Sequence, residues 1–283
     1  MSTEIKKEDL KYPEKVYKYR DWSDFNHQKV LKNNEVFMSS PKLFNDPFDC
    51  RITANFSLLN SNEKKKEYVD YLFSKHKFDT HLTDADKKRV YNERLNELIN
   101  EIQGFQKRAD DFSIDMYDDV FGVLSLSCVW DNLLMWSHYA KNHTGFCVGF
   151  HEEKMRNSDL FGKGGKVLYS NKYPEIDPLQ EFNQDEMETA QRHFKMTHVK
   201  AEDWKYEQEY RLMTTYNHRG ITTDERKVIV PDEFFTEVIL GCGFPKDNVA
   251  EMIDFGRQKK IPVYQSEKVP FEFKLKRNLL YKP

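Results

Sequence analysis

Two glutamates two residues apart, Glu207 and Glu209 in WKYEQEYRLM (Trp204 to Met213), are the side chains of this sequence best placed to do chemistry. The stretch alternates, which is the signature of a strand. On a strand, Glu207, Glu209, Arg211 and Met213 share one face, and Tyr206, Gln208, Tyr210 and Leu212 share the other, with neighbours on a face roughly 6.5–7 Å apart. A carboxylate on a rigid strand can stabilise positive charge that develops on a substrate carbon, and a second beside it can take a proton from a nucleophile. The same row is also the pattern of a salt-bridged sheet face, in which an exposed pair contributes only about 0–1 kcal/mol.

Two other alternating stretches carry polar groups. VYKYR (Val16 to Arg20) reads as a strand ending in Arg20, a charge-assisted and bidentate donor suited to a pyrophosphate. VFGVLSLSCVW (Val120 to Trp130) reads as a strand with Ser125 and Ser127 on one face and Leu124, Leu126 and Cys128 on the other. Asp131 and Asn132 then cap a helix, NLLMWSHYAKN, which carries Trp136, His138 and Tyr139 and which Gly145 closes. A lone His on an aromatic helix is first a structural residue. The sequence has no Walker-type loop, no GxGxxG after a strand, no HExxH and no GxSxG. GKGGK (Gly162 to Lys166) lacks the length and the Lys-Ser/Thr ending of a phosphate loop. Cys50, Cys128, Cys147 and Cys242 are scattered without paired spacing, so they read as free thiols of a reducing compartment and not as zinc ligands.

The rest of the chain supplies elements to position these groups. A helix is predicted over Phe25 to Lys32, capped by Ser23 or Asp24, followed by a strand over Glu35 to Ser39 and a loop, SSPKLFNDPFD. Residues 57–118 are rich in charge and helical in period, with Thr83 and Asp86 as a capping box, and read as an inserted helical lobe. Further strands are predicted at GFCVGF, KVLYS, KVIVP, TEVILGCG, PVYQS and FEFKLK, and helices over Leu179 to His198 and Lys246 to Lys259. The reading is one α+β domain over residues 14–283, with the 57–118 lobe inserted in it. Net charge is −3, which gives no global attraction to nucleic acid. No apolar run approaches the roughly 20 residues of a membrane span, and the polar opening MSTEIKKEDL has no signal-like apolar core, so a cytoplasmic chain without membrane contact is expected.

The order Arg20 in YKYRD, Ser125 and Ser127 in LSLS, then Glu207 and Glu209 in YEQEYR resembles the Arg–Ser–Glu subclass of the ADP-ribosyltransferase superfamily. The middle motif departs from that pattern, with Ser-Leu-Ser where Ser-Thr-Ser is usual. The resemblance implies a central, mostly antiparallel split sheet. It also implies NAD as substrate, with its pyrophosphate on Arg20, and Ser125 and Ser127 steadying the pocket wall. Glu209 would face the ribose and Glu207 would activate the acceptor, with Tyr19, Trp136, His138 and Tyr139 lining the pocket. A second resemblance rests on SSPKLFNDPFD, LSLSCVWDNLLMWSHYAKNHTGFCVGF and WKYEQEYR, which look like the bacterial domain-of-unknown-function family 2971, itself similar to the AbiGi abortive-infection proteins. It implies a bacterial phage-defence setting; with the transferase reading, the acceptor would be nucleic acid or protein, and an antitoxin or sensor would be the partner. Two rival readings stand beside it. One is a metal-dependent nuclease or hydrolase using Asp46, Asp49, Glu207 and Glu209, with His138 as base. The other is an inert sensor or partner-binding protein on the same fold.

Overall fold

The computed structural model describes residues 12–75, 83–162, 164–181 and 186–283. The N-terminal tail over residues 1–11, part of the 57–118 stretch, Lys163 of GKGGK and residues 182–185 of the helix expected after Leu179 lie outside them. The chain forms two compact units. The first comprises Met1–Leu43, Val120–Asn171 and Lys200–Pro283, and the second Phe44–Asp119 and Lys172–Val199.

The first unit is built on an eight-stranded sheet. Its strands are β1 (Lys15–Arg20), β3 (Phe121–Ser127), β4 (Phe146–His151), β5 (Gly164–Lys166), β8 (Glu209–Thr215), β10 (Phe235–Leu240), β11 (Val263–Lys268) and β12 (Leu275–Tyr281), in the order β12-β11-β10-β4-β1-β3-β8-β5. All neighbours are antiparallel except β10 and β11. The fold is therefore α+β with a large, mostly antiparallel open sheet. Two short ribbons accompany it: β2 (Glu35–Phe37) with β9 (Lys227–Ile229), and β6 (Leu168–Ser170) with β7 (Val199–Ala201). Alternation sends Val16, Leu124, Leu126, Val148, Tyr210 and Leu212 into one core, shared with Val30 and Leu31 of α1 (Phe25–Lys32), Met155 of α6 (Glu152–Arg156) and Met252 of α8 (Val249–Lys259). A smaller cluster holds Tyr17, Tyr19, Cys147 and Ile239 against Met135 and Trp136 of α5 (Leu133–Tyr139).

The sheet is nearly divided between β1 and β3. β1 runs with β4 from Lys15–His151 to Arg20–Phe146, and β3 runs with β8 from Phe121–Thr215 to Ser127–Glu209. β1 and β3 share only the register pair Tyr17–Ser127.

The second unit holds α2 (Asn62–Lys75), α3 (Asp84–Asn100), most of α4 (Ile102–Val120) and α7 (Glu186–Thr197). Phe56, Tyr68 and Phe105 meet edge to face at 4.9–6.4 Å around Leu59, Val69 and Leu98. Thr83 caps α3, accepting from the Asp86 amide at 3.2 Å and donating to its carboxylate at 2.6 Å. Among the described residues no helix is long and apolar enough to cross a membrane.

Four sequence expectations need correction. Trp204 to Glu207 is not strand: a 3-10 helix spans Glu202–Glu207, Gln208 is left-handed (φ 42°), and β8 starts at Glu209. Alternating composition cannot separate a short 3-10 turn from a strand. KVLYS is split between β5 and β6, and FEFKLK is mostly a hairpin turn before β12. α5 ends at Tyr139 and not at Asn142. Lys141, Asn142 and His143 follow it with φ of 45°, 53° and 65°; the amides of Asn142 and His143 return to the Ser137 and Trp136 carbonyls, and the Gly145 amide bonds the carbonyl of the cap, Ala140.

Candidate functional site

Glu207 and Glu209 come together at the divided part of the sheet, though not by the route that alternation predicts. Glu209 opens β8 opposite Ser127. Glu207 ends the 3-10 turn, and the Ser127 hydroxyl donates to its carbonyl at 2.7 Å. The turn is fixed again where the Asn132 amide donates to the Tyr206 carbonyl at 2.9 Å, while the same side chain caps α5. The two carboxylates then converge on one cation. Lys200, from β7, donates to Glu207 Oε2 at 2.7 Å and to Glu209 Oε2 at 3.4 Å. Arg211 forks onto Glu209 at 2.7 and 2.8 Å. Tyr139 donates to Glu207 Oε1 at 2.5 Å, and Tyr169 accepts the Glu209 amide at 2.8 Å. Glu207, Glu209, Lys200 and Arg211 are all buried.

This environment drives the two acids apart. Burial opposes ionisation of Glu209, but Arg211 and Lys200 outweigh it and hold the carboxyl well below the usual range. Burial dominates at Glu207 and raises it, against the pull of Lys200. At neutral pH Glu209 is a fixed anion, and Glu207 is the more basic of the pair.

Arg20 and Lys18 stand on the β1 side of the division. The Lys18 ammonium donates to the Ser125 carbonyl, across the gap. Burial lowers its pKa, Arg20 adds to this, and Glu209 and Glu207 oppose it, so Lys18 senses both groups. Burial brings the Arg20 guanidinium down to about 10, offset in part by Asp24, whose carboxylate caps α1. Arg20 makes no hydrogen bond or ion pair among the described residues, and the imidazole of His27 is lowered by burial and by Arg20.

Of the residues singled out in the sequence, the structure brings Ser125, Ser127, Glu207, Glu209 and Tyr139 together, whereas Arg20 lies on the other face of the sheet with Val16 and Phe146, where Asp24 is the acid that acts on it. Tyr139 is a hydrogen-bond partner of Glu207 and not a stacking platform. Tyr19 and Trp136 are closed in the smaller core, edge to face at 5.2 Å, with Tyr19 donating to the Val129 carbonyl and Trp136 to the Trp130 carbonyl. Neither offers a ring face to a ligand. His138 is exposed on α5, 6.0 Å from the Tyr206 ring. Among the described residues no group of three or more His, Cys, Asp or Glu could hold a metal ion, and the two site carboxylates already share an ammonium. Sequence reasoning missed Lys200, Lys18 and Tyr169. Lys18 had a signal, because it shares a strand face with Arg20 in YKYR, whereas Lys200 follows a polar helix with nothing to mark it.

No curated protein and no solved structure matches the chain. Residues 135–212, from α5 through the acid pair into β8, match the family model described as a protein of unknown function, DUF2971, the family that the MWSHYAKNHTGFCVGF and WKYEQEYR motifs resemble.

Proposed function

We propose that the chain is an NAD-consuming ADP-ribosyltransferase, in the phage-defence setting that the family resemblance implies. The observation that carries this reading is the split acid pair at the gap: one buried carboxylate kept ionised and a second raised beside it, with the Lys18 ammonium reaching the Ser125 carbonyl there. NAD supplies a nicotinamide–ribose bond whose cleavage builds positive charge on the ribose carbon. Glu209 answers that charge with an anion that Arg211 and Lys200 fix in orientation, so little reorganisation is needed. Glu207, raised by burial, accepts the proton from the acceptor nucleophile. Lys18, whose ammonium feels both acids, offers the diphosphate a cation at the gap, and the role that the resemblance gives Arg20 requires its guanidinium to reach through that gap from the other face of the sheet. Ser127 holds the Glu207 backbone, and Ser125 hydrogen-bonds the Glu209 carboxylate.

Incubation with nicotinamide-labelled NAD, with cellular RNA or protein as acceptor, tests the reading. Nicotinamide release is expected, falling by about 10²-fold or more in Glu209→Gln. Glu207→Gln should impair transfer to the acceptor more than bare NAD cleavage. An inert protein on this fold would release nothing, and equal release from wild type and Glu209→Gln would remove Glu209 from the chemistry.

A further inference from the structure

The hairpin joining β11 and β12 carries the most exposed aromatic groups among the described residues. Phe271 and Phe273 have relative exposures of 108% and 96%. Phe271 also sits at φ 62°, after Pro270, in a turn closed by the Glu272 amide on the Val269 carbonyl. A positive φ at that turn position ordinarily calls for glycine or asparagine. A bulky ring there strains the backbone, and no burial offsets the strain. The surroundings are basic in a chain whose net charge is −3. Between residues 267 and 282 the sequence has Lys268, Lys274, Lys276, Arg277 and Lys282 against Glu267 and Glu272; Lys274 pairs with Glu272, Lys276 with Glu267 and Arg277 with Glu237, which leaves Lys268 and Lys282 outside these ion pairs and the hairpin net positive. A groove of about 360 Å³ runs from Phe273 and Lys274 past Asp131 and Asn132 to Gln208, the residue between the two site glutamates. The Gln208 side chain makes no hydrogen bond among the described residues.

We infer that this hairpin and groove form a docking surface for single-stranded nucleic acid. Exposed rings stack on bases whatever their sequence, and the lysines that flank the two rings, Lys268 and Lys274, can follow the phosphates. A duplex hides its base faces and would use only the lysines. A lipid surface fits less well, because Glu272 stands between the two rings and would be carried into hydrocarbon with them. The groove would lead the strand towards Gln208, and the free amide there can pair with a base edge. Binding is read without NAD, so the proposal does not rest on the transferase reading.

The test is fluorescence anisotropy of labelled oligo(U) and oligo(dT) of about 15 nucleotides, the upper range of single-strand site sizes, with the full chain in rising salt. Wild type should bind both, and more weakly as salt increases. Phe271→Gly, which removes the ring and relieves the positive φ, should fold at least as stably as wild type. Combined with Phe273→Ser, it should bind at least about tenfold more weakly. The proposal is overturned if wild type does not bind at low salt, if the double variant binds equally well, or if a duplex of the same length binds as tightly. It also fails if the rings instead mediate binding to phosphatidylserine vesicles, or a dimer that the double variant dissolves.

Discussion

Lys200→Met isolates what the shared ammonium does for the acid pair. Methionine keeps most of the stem that lies against Trp204, where the ammonium is 4.7 Å from the ring, but removes the charge. Glu209 retains the Arg211 fork, whereas Glu207 loses its ion pair with Lys200 and keeps the Tyr139 hydroxyl. Leaving a buried charge unpaired costs about 3–5 kcal/mol, but Glu207 can escape by binding a proton. That escape limits the penalty to the free energy of protonating a carboxyl whose pKa is 4.5 in the unfolded chain. At about 1.36 kcal/mol per pH unit, the ceiling is about 3.4 kcal/mol at pH 7 and about 0.7 kcal/mol at pH 5. The sign follows from linkage. With its pKa raised in the folded variant, Glu207 binds more protons folded than unfolded. The penalty is therefore absent below about pH 4.5 and grows as pH rises, until the folded pKa is passed. Urea unfolding of wild type and variant at pH 5, 6 and 7 measures it. A stability difference that is the same at pH 5 and pH 7, or larger at pH 5, would refute the assignment of Lys200 as the counter-ion that keeps Glu207 chargeable.

Arg20→Met should leave stability unchanged or slightly higher by urea unfolding, because no ion pair is broken, while NAD binding by calorimetry is lost; a clear drop in stability would make Arg20 a structural residue. Asn132→Ala removes the α5 cap and the bond to the Tyr206 carbonyl together, and should lower stability by about 1–3 kcal/mol in denaturant titration. Glu209 is held below the unfolded value of 4.5, so its contribution is full above about pH 5 and is lost as pH falls through the folded pKa. The stability advantage of wild type over Glu209→Gln should shrink accordingly between pH 5 and pH 3, which acid titration followed by circular dichroism would show.

What could be read from the sequence follows the range of the interactions involved. β1, α1, β3 and β4 were legible because each writes its partners into a local period: Val16, Leu124, Leu126 and Val148 alternate into one core, and Asp24 and Asn132 stand where caps belong. The 3-10 turn before β8 was not, since Tyr206 and Gln208 imitate a strand and only the φ of Gln208 breaks the pattern. Nor was the enclosure of Trp136 and Tyr19, because both sit at positions whose burial depends on how α5 crosses the sheet.

The acid pair shows why its electrostatics lay further out of reach than its residues. Glu207 and Glu209 differ by two positions and carry the same group, and nothing in the sequence distinguishes them. The distinction comes from Arg211 forking onto one carboxylate and Tyr139 meeting the other, with Lys200 shared unequally at 2.7 and 3.4 Å. Had WKYEQEYR been a continuous strand, both acids would have stood on one pleated face, each within reach of the same cations, and their titrations would have been alike. The left-handed Gln208 breaks that equivalence, turning one carboxylate towards α5 and leaving the other in line with Arg211. A division of labour between base and fixed anion therefore depends on a backbone irregularity that propensity argues against, which is where a functional constraint is expected to override local preference.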